Sequence, residues 1–101
     1  MALTLSPQKM TNEKLNKVFE EAVQFVNNYT EPLPADFLLN LYAYYKKATQ
    51  NNEPPGSKKP IINAFKANAL FQVRDLTEKQ AKIGYIKLVN QYFTTNFGDN
   101  L

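Results

Sequence analysis

Residues 41–48, LYAYYKKA, place three tyrosines and two lysines in one run that no proline or glycine interrupts. On a helix, at about 100° per residue, Tyr42 and Tyr45 stand about 60° apart, and Lys46 lies about 40° to the other side of Tyr42. Two flat rings and a cation then share one face. Ring faces stack on planar groups and an ammonium pairs with phosphate, so the arrangement suits a ligand with a planar ring and a phosphate, such as a nucleotide. The same residues also fit a helix whose tyrosines are partly buried and whose lysines are solvated.

Other chemistry is thinly supplied. The 101 residues include no cysteine and no histidine, which excludes disulfides, thiolate catalysis, the usual zinc ligand sets and histidine triads. Glu20 and Glu21 are neighbours in sequence, but adjacent helical residues point about 100° apart, and no partner base or metal ligand accompanies them. Gly56, Gly84 and Gly98 stand alone, so no glycine-rich loop can cradle a phosphate and side chains must do so. The expectation is a protein that is not an enzyme and holds no metal or cofactor. Charge points the same way. Residues 46–66 carry five lysines against Glu53 alone, whereas the rest of the chain has seven cations and eight acids. The net charge of +3 thus comes from one segment, which implies an anionic ligand or a lysine-rich solvated loop.

The elements that must position these groups follow from periodicity. A chain of this length supports one domain with a single core. Residues 1–10 show no periodicity and are expected to form a flexible arm. Thr11 or Asn12 can cap a first helix reaching about residue 27, with Leu15, Val18, Phe19, Ala22 and Val26 at helical spacing. Pro32 and Pro34 interrupt the chain, and a second helix starts near residues 34–36 with Asp36 at the positive end of its dipole. Phe37, Leu41, Tyr44 and Ala48 form its bundle stripe, while Leu38, Leu39, Tyr42 and Tyr45 form a second apolar face with Lys46 one turn along. Either this helix is buried on two sides, or its second face lines a groove for something other than protein.

Residues 50–59, QNNEPPGSKK, read as a polar loop. Pro60 opens a third helix whose expected inward stripe is Ile61, Phe65, Ala69 and Val73, and which carries Lys66. Thr77-Glu78-Lys79-Gln80 fits a capping box for a fourth helix, with Ala81, Tyr85, Leu88, Val89 and Tyr92 inward. Gly84 beside Tyr85 allows another group to approach closely. No segment alternates as a strand would, so the fold class is all-α with four helices. The domain is expected over residues 11–96, with a tail over 97–101.

The segments FEEAVQFV (19–26), LYAYYKKAT (41–49) and YIKLV (85–89) resemble those of the acyl-CoA-binding protein family. The resemblance spans residues 19–92 and is strongest at Tyr42-x-x-Tyr45-Lys46 followed by Ala48-Thr49. It implies a four-helix bundle of up-down-down-up topology that binds, shields and carries long-chain acyl-CoA esters without catalytic residues. By position it implies that Tyr42, Tyr45, Lys46, Lys66 and Tyr85 contact the coenzyme head group, with Lys46 at the ribose 3′-phosphate. It further implies that Ala22, Val23, Leu38 and Leu39 line the acyl-chain groove, which accounts for the second apolar face. The chain departs from the family pattern in having Ala67 and Leu70 at the usual third-helix tryptophan positions, Ile62 at a lysine position and Asn27 at a basic one. Its second-to-third loop is also about two residues short. Lys47, Lys58 and Lys59 are candidates to compensate.

The expected partner is therefore a small molecule, acyl-CoA, with no nucleic acid, no stable membrane insertion and a monomeric state. MALTLSPQKM has neither a basic leader region nor a long apolar run, and nowhere do eighteen apolar residues occur together, so a soluble cytoplasmic protein is expected. Asn28-Tyr29-Thr30 fits a glycosylation sequon that matters only in a secreted chain. Two rivals remain. Tyrosines beside lysines also make stacking platforms for single-stranded nucleic acid, although +3 is a low charge for one. An aromatic helix face can also dock a partner helix.

Overall fold

The computed structural model describes residues 11–49 and 60–98, apart from the side chains of Pro60 and Ile61. The expected arm (1–10), the polar loop (50–59, with Lys58 and Lys59) and residues 99–101 lie outside the described residues. Within them the chain forms four helices and no strand: α1 (Asn12–Asn28), α2 (Ala35–Ala48), α3 (Pro60–Gln72) and α4 (Glu78–Phe93).

Local chemistry sets the helix ends. Thr11 caps α1, its hydroxyl accepting from the Lys14 amide at 3.1 Å, so the cap falls on the first of the two candidates. The α4 capping box is complete: Gln80 N–H donates to Thr77 Oγ1 at 3.0 Å, and Thr77 N–H donates to Gln80 Oε1 at 2.8 Å. Lys46 and Lys47 lie in the last turn of α2, where cations complement the negative end of the dipole. Past α4, Thr94 takes the left-handed conformation, φ 57°, which is costly for a β-branched residue. A clasp offsets that cost. Asn90 Oδ1 accepts from Thr95 Oγ1 (2.8 Å) and from Phe97 N–H (2.9 Å), and Asn90 Nδ2 donates to the Phe97 carbonyl (2.9 Å).

Side-chain contacts give the topology. α1 and α4 run parallel, since Lys82 Nζ donates to Asn16 Oδ1 (2.6 Å) near their starts while Phe25 meets Phe93 (4.9 Å) near their ends. Phe37 at the start of α2 stacks on Tyr92 at the end of α4, 4.2 Å between centroids, so α2 runs against α4. Lys47 near the end of α2 reaches the Arg74 carbonyl just past α3, so α2 and α3 run together. The result is up-down-down-up, as the resemblance implies.

α2 is the shared element. One side packs against α4 and the other against α3, while α1 packs against α4. The main core comes from Leu15, Val18, Phe19, Ala22 and Val23 of α1, Phe37, Leu41 and Ala48 of α2, and Ala81, Tyr85, Ile86 and Val89 of α4. A smaller cluster of Ala43, Ala69 and Val73 joins α2 to α3, with Tyr44 packed against both clusters. A Cβ on Gly84 would lie 2.5 Å from the Tyr44 ring, so that ring is the group this glycine admits.

Two stripe assignments differ from the sequence reading. Phe65, expected inward on α3, is 52% exposed; the packed face is rotated toward Ala69, Val73 and Lys66, and the side chain of Ile61 lies outside the described residues. Tyr92, expected inward on α4, is 44% exposed, while the unassigned Ile86 is fully buried. α4 is covered by both α1 and α2, so its buried arc is wider than one stripe.

Candidate functional site

Leu38, Tyr42 and Tyr45 occupy the strip of α2 left between its two packed sides. Leu38 is 45% exposed and Tyr45 42%, with Tyr42 partly buried between them. α2 is thus buried on two sides and still presents a separate, partly exposed face.

Tyr42 stands among the cations. Lys46 Nζ of α2 lies 5.6 Å from its ring centroid and Lys66 Nζ of α3 lies 5.0 Å away, within the roughly 6 Å over which a ring quadrupole attracts a cation. Lys66 reaches this point because the packed face of α3 is turned toward it. Lys46 is itself buried. The Tyr42 hydroxyl is buried and makes no hydrogen bond among the described residues, and a buried polar group left unpaired costs about 1–3 kcal/mol.

On the other flank Tyr45 stacks on Phe19 of α1, with centroids 6.1 Å apart and planes at 24°, and Phe19 meets Tyr85 of α4 edge-on at 5.2 Å. Tyr85 is buried, and burial, followed by the proximity of Tyr45, pushes its phenol up to about 12. It is neutral at physiological pH and can only donate or accept a hydrogen bond there.

The expected head-group residues therefore fall into two neighbouring sets. Tyr42, Lys46 and Lys66 form one, and Tyr45 is joined to Tyr85 through Phe19. Of the expected groove residues, Leu38 faces outward, Leu39 packs partly buried against the Ala43, Ala69 and Val73 cluster, and Ala22 and Val23 lie in the main core at 0% and 6% exposure. Sequence reasoning placed Phe19 in the core stripe but missed its link between the two tyrosines; its position one turn before Ala22 and Val23 was the available signal. Lys47 has a structural task, donating to the Arg74 carbonyl at 3.0 Å and tying down the turn after α3. Glu20 and Glu21 are exposed on α1. The described residues hold no group of three or more acidic, cysteine or histidine side chains able to take a metal ion, and no helix among them is long and apolar enough to cross a membrane.

No solved structure matches the chain. The family model described as acyl CoA binding protein matches residues 16–89, a span that contains all nine side chains expected at the head group and the groove. That family binds ligands rather than catalysing reactions. With most of the chain inside the match and the four helices in the order the resemblance implies, the protein belongs to the acyl-CoA-binding protein family.

Proposed function

We propose that the protein binds long-chain fatty acyl-CoA esters non-covalently, shields them and carries them through the cytoplasm as a monomer. The observation that supports this most is the pair of ammonium groups 5.6 and 5.0 Å from the Tyr42 ring, beside a buried hydroxyl with no partner among the described residues. Phosphate brings negative charge and acceptor oxygens to such a cluster. Lys46 takes the ribose 3′-phosphate, Lys66 a second head-group oxygen, and Tyr42 and Tyr45 supply stacking surface with Tyr85 behind them.

The acyl chain then runs along Leu38 and Leu39. Reaching Ala22 and Val23 requires it to part α1 from α2, which are bridged by the Phe19–Tyr45 stack and have no close backbone packing among the described residues. Each buried methylene contributes about 0.8 kcal/mol, so affinity rises with chain length until the groove is full.

Calorimetric titration with CoA alone and with CoA esters of graded chain length tests this reading. Affinity should climb with length, and Lys46→Ala should weaken ester binding by about 1.5–3 kcal/mol, the worth of a hydrogen bond to a charged group, with an unchanged circular dichroism spectrum. Unchanged affinity in that variant removes Lys46 from the site. In native mass spectrometry, retention of an oligonucleotide but not palmitoyl-CoA would overturn the reading altogether.

A further inference from the structure

The exposed arc of α3 differs from every other exposed helix face. Ala64, Phe65, Ala67, Asn68, Phe71 and Gln72 are all exposed and none is charged. The exposed residues of α1, α2 and α4 all include charged side chains, among them Glu20, Asp36 and Lys87. Phe65 and Phe71 are 52% and 48% exposed, the largest apolar side chains that α3 turns to solvent. Among the described residues only α2 of the other helices packs against α3, so the opposite face carries none of them there.

Cations gather at one end of this face. The Arg74 guanidinium lies over the Phe71 ring at 3.7 Å and donates to the Phe71 carbonyl at 2.8 Å. Lys47 Nζ sits 3.0 Å from the Arg74 carbonyl. Asp75 is the acid beside them, 4.0 Å from Arg74 and highly exposed, and residues 54–74 contain no acid at all.

We infer that this face of α3 docks reversibly on the surface of an anionic lipid bilayer, with Phe65 and Phe71 entering the headgroup layer and Arg74 and Lys47 meeting lipid phosphates. Area argues against a second copy as the occupant. Thirteen residues make a face about 20 Å long and about 10 Å wide, or about 200 Å², against the roughly 800 Å² per partner of a stable protein interface. A lipid surface needs only a few apolar anchors and a favourable charge. The proposal goes beyond ligand binding and does not depend on it, because the exposed arc of α3 contains none of the residues proposed to contact acyl-CoA and docking can be tested without that ligand.

The test is sedimentation of the full, unliganded chain with sucrose-loaded vesicles of phosphatidylcholine alone or with phosphatidylserine added. Binding should require phosphatidylserine and weaken in high salt. Phe65→Ser with Phe71→Ser should lower partitioning about tenfold or more, given the ring area withdrawn from the interface, and Arg74→Gln should lower it about fivefold. Circular dichroism and CoA-ester affinity should not change in either variant, since these side chains are exposed. Equal binding to both vesicle types, or no loss in the double variant, overturns the proposal. Concentration-dependent dimerisation that the double variant abolishes, with no vesicle binding, would assign the face to a second copy and overturn it as well.

Discussion

Three tyrosines near the site do different work because their surroundings differ. Tyr45 is open to solvent, Tyr42 has a buried hydroxyl among cations, and Tyr85 is sealed beneath Phe19. The Tyr85 phenol is pushed from 10.0 up to about 12, first by burial and then by Tyr45. The folded protein therefore keeps this proton over a window in which the unfolded chain has released it. The resulting stabilisation is complete below pH 10 and is lost as pH rises toward about 12. Urea unfolding at about pH 9 and about pH 11.5 checks this: Tyr85→Phe should show a smaller drop in stability between the two than the parent chain. An identical drop would mean that Tyr85 titrates as an ordinary phenol. The spacing of α4 placed Tyr85 inward, where it is buried, but the Phe19 ring that meets it from α1 is a long-range contact that no local pattern encodes.

At the scale of the elements, legibility depended on how one-sided each helix is. α1 alternates a charged face with an apolar one, so its core residues read directly from spacing, and the Thr77 box marked the start of α4. α3, PIINAFKANALFQ, is apolar nearly all round. Its pattern favours no face, and its orientation is settled by α2, which draws Ala69 and Val73 against Ala43 and leaves Phe65 outside. That same rotation brings Lys66 to Tyr42, so the resemblance singled out Lys66 as a candidate while its means of arrival was not legible. The α2–α4 crossing rests on Gly84. A methyl group there would lie 2.5 to 3.0 Å from three atoms of the Tyr44 ring, and Tyr44 cannot swing aside easily because it packs against both clusters. Gly84→Ala should therefore destabilise the fold by about 1–2 kcal/mol, overpacking outweighing the helix propensity that alanine gains. Tyr44→Leu should make the second substitution cheaper, a positive coupling visible in a double-mutant cycle of urea midpoints. Purely additive effects would place the strain elsewhere.

For the whole molecule, the aromatic cluster that stabilises the fold and the proposed head-group site lie toward different ends. At one end Phe25, Tyr29, Phe37, Tyr92, Phe93 and Phe97 interlock, with neighbouring centroids 4.2 to 5.7 Å apart. Phe97 belongs to this cluster although the family match stops at residue 89, because Asn90 bonds both its amide and its carbonyl and holds its ring 5.5 Å from Phe25. Toward the opposite end of α2, Lys46 and Lys66 gather around Tyr42, and Tyr45 and Phe19 bridge α1 to α2. Separation of this kind predicts that the two properties can be lost independently. Phe97→Ala should lower unfolding free energy by about 2 kcal/mol, less than for a fully buried ring because Phe97 is partly exposed, and leave CoA-ester affinity within about twofold, since sites with no shared partners act additively. Lys46→Ala should do the reverse, weakening the ester while the urea midpoint moves little. Should Phe97→Ala weaken binding as strongly as it weakens the fold, the two ends would be coupled through α2, and the aromatic cluster would have to be counted as part of the binding machinery.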